Sequence, residues 1–314
     1  MSDRLVYLNG KFVAERDANV SIFDSALMFG DMAFEMTRTF NHQPFKLREH
    51  LERLYNSLRL LEIDCGISID EMEQLTLDVL ARNTPTEPED VDWQIMHDVS
   101  RGPLSVYGSV FPEGIQPTVV INCWPMITHT GGFAEKYETG VDLMIPAQQM
   151  IPAHIVDLKA KVRSRMHYRL AEFQGNRSGN RWPIMLDTDG FLAEGPGWNI
   201  FLVKDGILYT PEGRNVLLGV SRATVIELAV NLGVEVREVN LGRYEALMAD
   251  EMFTTSTPYC MVHVRSFEGQ DVGDGTAGPI FTEIINAWKE SVGVDFVAQA
   301  QTYAERLPQW NQQQ

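Results

Sequence analysis

Glu194 stands just ahead of the second of two short apolar runs, Pro183–Leu186 and Ile200–Val203, in the stretch PIMLDTDGFLAEGPGWNIFLV. Runs this short, bounded by Gly and Asp, predict buried strands rather than helices. A turn at Asp187–Gly190 and a bend through Gly195, Pro196 and Gly197 join them. A carboxylate in such a framework is costly to bury without a cationic or proton-donating partner. Taken alone, an AEG tripeptide reads equally as a strand ending in solvent. Upstream lies DLKAKVRSRMHYRLAEF, Asp157 to Phe173. A lysine near a buried carboxylate can have its amine freed as a nucleophile by desolvation and neighbouring cations, the requirement of a Schiff-base lysine. Lys159 and Lys161 both qualify by position.

Two downstream segments offer seats for an anion. Leu218-Gly219-Val220-Ser221-Arg222 opens a helical pattern, so free N–H groups and the Ser221 hydroxyl collect at one end of it. Alone, Ser221 reads as an N-cap. Thr254-Thr255-Ser256-Thr257 is a hydroxyl-rich strand end, and alone it reads as a strand surface.

The elements that must position these residues follow from the pattern. Val6–Asn9 and Lys11–Ala14 form a hairpin turning at Asn9-Gly10. Asp31–Phe40 is a strand; Leu51, Leu54, Leu58 and Leu61 mark an amphipathic helix. Ser68 with Glu71 is a capping-box signature for a second helix reaching Arg82. Strands follow at Trp93–Ser100 and Thr118–Asn122. Later come a strand at Val141–Ile145, a helix over Ser164–Phe173, a strand at Ile207–Tyr209 and a helix at Ser221–Leu232 closed by Gly233. Strands at Val234–Val239, Glu251–Thr255 and Met261–Phe267, a short helix at Gly242–Ala249 and a last helix at Thr276–Ser291 complete the pattern. The fold class is α/β (α+β). A small N-terminal domain takes residues 1–122, the Pro- and Gly-bearing segment 123–132 is a linker, a larger domain takes 133–300, and 301–314 is a tail, disordered from Pro308.

The chain has 314 residues and carries 43 acidic against 26 basic side chains, a net charge of −17. Such a balance argues against a nucleic-acid or anionic-membrane partner, and any anion site must be built locally. Cys65, Cys123 and Cys260 are widely spaced, which suggests neither a disulfide framework nor a zinc site. With no apolar leader and no apolar run of spanning length, the expected location is the cytoplasm.

In order and spacing, FLAEGPGWNIFLVKDGILYTP, LLGVSRATVIELA and ADEMFTTST resemble the class IV, or fold type IV, pyridoxal-phosphate enzymes over roughly residues 5–290. That family includes branched-chain, D-amino-acid and (R)-amine aminotransferases and aminodeoxychorismate lyase. The resemblance implies a small α/β domain followed by a larger, β-rich, cofactor-binding one, and pyridoxal 5′-phosphate as cofactor. Glu194 would pair with the pyridine nitrogen and keep it protonated. Arg53 would hold the phosphate from the first helix, with Val220, Ser221, Ser256 and Thr257 completing the cup. The lysine would bond the cofactor and then serve as acid and base. The 33 residues from Lys161 to Glu194 match the family without a gap, whereas Lys159 would need an insertion. The implied reaction is amino transfer between an amino acid or amine and a 2-oxo acid, branched-chain-aminotransferase-like, in a homodimer. The alternatives are an aminodeoxychorismate-type lyase and a catalytically silent member.

The chain also departs from its relatives. Where branched-chain enzymes place a tyrosine five residues after the lysine, this chain has Met166, and Tyr168 is the nearest tyrosine. Pro258 follows Thr257 and has no N–H to offer a substrate carboxylate. If the substrate is an amino acid, a side-chain cation must then take that carboxylate, and an arginine suits it best. Arg101 and Arg38 rank first because their strands match pocket-facing strands of the family. Arg163 and Arg165 follow, and the sequence does not fix which of these two faces the pocket.

Overall fold

The structure is a computed structural model that describes residues 4–313, with side chains described as far as Trp310. The backbone groups into two compact units. One takes the chain to Thr128 together with Ala160–Ser164 and the chain from Arg306; the other takes His129–Lys159 and Arg165–Glu305.

The first unit is an antiparallel sheet backed by two helices. Its strands are β1 (Leu5–Leu8), β2 (Lys11–Ala14), β3 (Met32–Phe40), β4 (Gln43–Pro44), β5 (Trp93–Ser100) and β6 (Thr118–Pro125), in spatial order β2-β1-β6-β5-β3-β4. Leu8 pairs with Lys11, so Asn9 and Gly10 form a two-residue loop, both with positive φ, as the Asn-Gly signal requires. The helices are α1 (Ser25–Phe29), α2 (Leu47–Leu60) and α3 (Ile69–Asn83). Leu47, Leu51, Leu54 and Leu58 bury one stripe of α2 against Ala33, Ile95 and Val99 of the sheet. Ser68 and Glu71 form the expected capping box on α3, Ser68 N–H donating to Glu71 Oε2 at 2.8 Å.

Period-two alternation divides β3 between the two faces of this sheet. Ala33, Glu35, Thr37 and Thr39 share the helix-covered face with Trp93, Ile95, His97 and Val99 of β5. Phe34, Met36, Arg38 and Phe40 lie on the other. Beside the N-terminal half of β3 runs Ala160–Ser164: Val162 bridges Ala33, Phe34 N–H donates to Lys161 O at 3.0 Å, and Arg163 N–H donates to Met32 O at 2.9 Å. A division into 1–122 and 133–300 misses this excursion, in which five residues with no strand signal of their own join the first unit.

The second unit is a mixed sheet of β7 (Val141–Met144), β8 (Trp182–Pro183), β9 (Asn199–Lys204), β10 (Ile207–Pro211), β11 (Val236–Val239), β12 (Glu251–Ser256), β13 (Cys260–Phe267) and β14 (Gln270–Asp271). Its order is β11-β10-β9-β12-β13-β7-β8, with β14 beside β13. The remaining helices are α4 (Ile127–Gly131), α5 (Ala134–Thr139), α6 (Met166–Arg177), α7 (Val220–Asn231), α8 (Arg243–Leu247), α9 (Pro279–Val292) and α10 (Phe296–Gln313). Gly233 ends α7 in a Schellman motif, with Gly233 N–H on Val230 O and Val234 N–H on Ala229 O.

Three expectations need correction. The segment 123–132 is no linker: Cys123–Pro125 complete β6 and Ile127–Gly131 is helical, because Cys123, Met126 and Ile127 are buried. The tail is ordered through Gln313, since Phe296, Ala300, Tyr303 and Trp310 bury a helical stripe that Pro308 does not break; Gln314 lies outside the described residues. Pro183–Leu186 ladders only at Pro183, after which Met185 pairs with Ala193 and Glu194 and Leu186 forms single bridges.

Helix α2 ends on Leu61 with Glu62 left-handed at φ 54°, where glycine is the usual occupant. A non-glycine residue there costs about 1 kcal/mol or more. Glu62→Gly is therefore expected to stabilise the protein by about 1 kcal/mol, seen as a higher midpoint in thermal unfolding.

Candidate active site

In the second unit the chemistry gathers on Glu194, whose side chain is 5% exposed. Tyr168 donates its hydroxyl to Oε1 at 2.6 Å. Asn199 Nδ2 donates to Oε2 at 3.1 Å and Leu217 N–H to the same oxygen at 2.8 Å. These donors come from α6, the first residue of β9 and the loop that leads into α7. These neutral donors are among the partners expected for this carboxylate, and they stabilise its charged form as a cation would. Burial first, then the Glu194 charge, pushes the Tyr168 phenol far above its ordinary value, so it stays a neutral donor.

The same loop opens α7. Gly219 is the N-cap and the first intrahelical bond is Ala223 N–H to Gly219 O, so Val220, Ser221 and Arg222 supply the N–H groups of the helix start. Ser221 lies inside the helix and is not its cap. Gly219 is needed for space: a Cβ there would meet Asn199 Oδ1 at 2.3 Å. Asn199 also donates to Leu217 O at 3.0 Å, tying the carboxylate to the helix start. At the end of β12, Ser256 donates its hydroxyl to Gly197 O at 2.6 Å, so that hydroxyl hydrogen is engaged in holding the bend, and Thr257 follows in the turn.

The first unit holds its own buried carboxylate. Glu35, fully buried on β3, accepts from Arg53 twice, Nε to Oε1 at 2.6 Å and an Nη to Oε2 at 2.8 Å, and lies 2.9 Å from His50 Nδ1. The Arg53 guanidinium, with help from His50, outweighs burial and holds the Glu35 carboxyl well below its ordinary value. Lys161 is fixed close by. Its N–H donates to Ser57 Oγ at 3.0 Å, one turn along α2 from Arg53, and its Nζ lies 4.8 Å from the centre of the Phe34 ring. Lys159 is half exposed, with Asp157 as a surface partner at 3.9 Å.

The family model of the class IV amino-transferases matches residues 32–267. The branched-chain-amino-acid aminotransferase of Escherichia coli is 32% identical over 90% of this chain and 91% of its own length. A crystal structure of the E. coli branched-chain amino acid aminotransferase superposes with a TM-score of 0.82 at 30% identity, covering 92% of this chain and 94% of that one. The branched-chain aminotransferase of the thermophilic archaeon Thermoproteus uzoniensis, solved with norvaline, gives 0.80 at 27% identity, covering 96% and 97%. The chain belongs to the class IV aminotransferases. It is an aminotransferase of the branched-chain-like kind, with the α/β small unit and β-rich large unit of fold type IV.

Within this aminotransferase the four candidate arginines stand differently. Arg101 is committed elsewhere: Nε and one Nη reach Asp31, and the two Nη atoms also bond Glu62 O at 2.9 Å and Leu61 O at 2.6 Å, closing the C-terminus of α2. A substrate contact from Arg101 would have to replace some of these bonds. Arg163 pairs with Asp98 through Nε at 2.9 Å and lies over Phe34. Arg38 is buried, its Nε on Thr39 O and its guanidinium over Phe40. Arg165 lies over the ring of Tyr168, 4.5 Å from its centre. Met166, in the family's tyrosine position, is 68% exposed. The sequence reading missed Tyr168 and Asn199 as partners of Glu194, and Glu35 as the partner that Arg53 and His50 share. The available signal was an acidic residue at an inward position of β3. Among the described residues no group of His, Cys, Asp or Glu could hold a metal ion, and no helix is long and apolar enough to cross a membrane.

Beside Glu35 on the same face, His97 Nε2 lies 2.8 Å from Thr76 Oγ1, whose own hydrogen goes to Met72 O, so Nε2 carries the proton. Burial lowers the His97 pKa to about 4. The unfolded chain then binds more protons than the folded one between about pH 6.5 and 4, and stability is lost as pH falls through that window. The loss should reach about 3 kcal/mol. His97→Gln, which keeps the donor to Thr76 and cannot titrate, should flatten the slope in urea unfolding measured from pH 7 to 4.5.

Proposed function

We propose that this aminotransferase binds pyridoxal 5′-phosphate and moves an amino group between a branched-chain-type amino acid and a 2-oxo acid, as a cytoplasmic homodimer. The observation that carries the reading is Glu194, a buried carboxylate that accepts from the neutral donors Tyr168, Asn199 and Leu217, the last on the loop that opens α7. Its donor chemistry fits the cofactor. A charged carboxylate suits a protonated ring nitrogen, and the N–H groups of Val220 and Ser221 suit a phosphate. Thr257 and the Ser256 backbone complete that seat, and Arg53 adds its charge while held by Glu35.

The cofactor, when bound, supplies the electron sink. Lys161 would hold the cofactor through its amine, and the same amine would take and return the proton of the substrate Cα. Pinning of the Lys161 backbone on both sides, through N–H to Ser57 and through C=O to Phe34, supports it over Lys159. Three free cysteines and the acidic surface support the cytoplasmic assignment.

Borohydride reduction of the holoenzyme followed by peptide mass mapping should place the pyridoxyl mass on Lys161; an adduct on Lys159 overturns the assignment. The substrate carboxylate falls to an arginine, with Arg101, Arg38, Arg163 and Arg165 as candidates. Loss of a charged donor costs about 2–5 kcal/mol. One of the four Arg→Ala changes should therefore raise KM for an amino acid about 30-fold or more while leaving a carboxylate-free amine little affected. Equal effects on both donors in all four variants remove the arginine clamp.

A further inference from the structure

Tyr168 donates to Glu194 Oε1, whereas Oε2 accepts from Asn199 and Leu217. We propose that Tyr168 is a positioning residue for Glu194, and that its hydroxyl, with the Arg165 guanidinium lying over its ring, fixes the carboxylate and keeps it a weak base toward the cofactor. The inference rests on the reading of Glu194 as the partner of the ring nitrogen.

The placement of α6 builds this arrangement. Tyr168, Ala171 and Gly175 form its buried stripe, and the phenol is 6% exposed among Leu158, Met185 and Val216. Arg165 is the N-cap of α6, three residues before Tyr168, so it lies on the same side of the helix. Its charge draws on the ring face and makes the hydroxyl a stronger donor. The titratable and charged groups around the phenol are Glu194 from the chain before β9, and Arg165 and His167 from α6, the imidazole 4.2 Å from the Tyr168 ring centre. Burial first, then Arg165, holds His167 below its ordinary value, so above pH 7 it is neutral and leaves the readout to the other groups.

A donor to a carboxylate stabilises the charged form. Without it Glu194 binds a proton more tightly, and the proton it shares with the ring nitrogen moves toward Glu194. The ring becomes less positive, and the Lys161 nitrogen bonded to the cofactor gives up its proton at higher pH. A residue that only filled space would leave that pH unchanged.

The test uses Tyr168→Phe, which keeps the ring and its packing, and Arg165→Met, which keeps bulk and removes charge. In the holoenzyme above pH 7, the midpoint of the cofactor's visible absorbance change should rise by about half a unit or more in Tyr168→Phe and by less in Arg165→Met. Affinity of the apoprotein for pyridoxal phosphate should fall about tenfold in Tyr168→Phe. In the apoprotein, the carbon NMR titration of the Glu194 carboxyl should move upward in the same order. A folded Tyr168→Phe protein with an unmoved carboxyl titration overturns the inference. If the wild type takes up no pyridoxal phosphate, the cofactor reading fails instead, and the carboxyl titration still decides whether Tyr168 tunes Glu194.

Discussion

A carboxylate withdrawn from water must recover in hydrogen bonds what it loses in hydration, and Glu194 shows how the large unit meets that demand. The desolvation penalty for a buried ion amounts to several kcal/mol after relaxation. Hydrogen bonds to a charged group contribute about 1.5–3 kcal/mol each, so three donors are of the right size to offset it. Each donor comes from a different part of the unit: Tyr168 from α6, Asn199 from the head of β9, and Leu217 from the loop before α7. The carboxylate therefore fixes those three elements relative to one another. Gly219 follows from the same constraint, since a Cβ there would strike the donor Asn199.

The small unit solves the same problem by the opposite means. Glu35 is neutralised by a bidentate Arg53 and approached by His50, so charge meets charge inside the helix-covered face of the sheet. Breaking such a pair leaves an uncompensated buried ion and costs about 3–5 kcal/mol. A loss of cofactor in an Arg53→Ala protein would thus carry a stability component along with any lost phosphate contact. A clean reading of Arg53 requires a companion change at Glu35 that removes the orphaned charge. Glu194 accepts from the neutral donors Tyr168, Asn199 and the Leu217 N–H, whereas Glu35 accepts from a guanidinium.

Local signals carried much of the architecture. The Asn9-Gly10 hairpin, the α2 leucine stripe, the Ser68–Glu71 capping box and the Gly233 stop each rest on neighbours within a turn or two, and each is present in the fold. Long-range contacts were not legible. Arg101 looks from the sequence like a pocket arginine at a strand end, yet its fork is filled by Asp31 and by the last carbonyls of α2, some 40 residues away in sequence. Tyr168 lies 26 residues before Glu194, and no spacing rule links the two. The tail from Pro308 reads as polar and therefore disordered, but Trp310 two residues on is buried and continues the stripe of α10.

The lysine register follows from strand geometry in a way that composition cannot supply. Ala160–Ser164 runs antiparallel to β3 with Val162 opposite Ala33, so Lys161 lies opposite Phe34 and Arg163 opposite Met32. Side chains alternate along such a segment, which puts Lys161 and Arg163 on the face that carries Phe34, where both cations lie over the ring. A slip of one residue would turn both cations to the opposite face, among the leucines of α2. A slip of two would return the right face with Lys159 in place of Lys161. It would also move the Lys161 N–H from Ser57 Oγ, a hydroxyl whose own hydrogen goes to Arg53 O. The bond to Ser57 therefore does more than anchor a loop: it selects which of two lysines, two residues apart, stands beside the helix that carries Arg53.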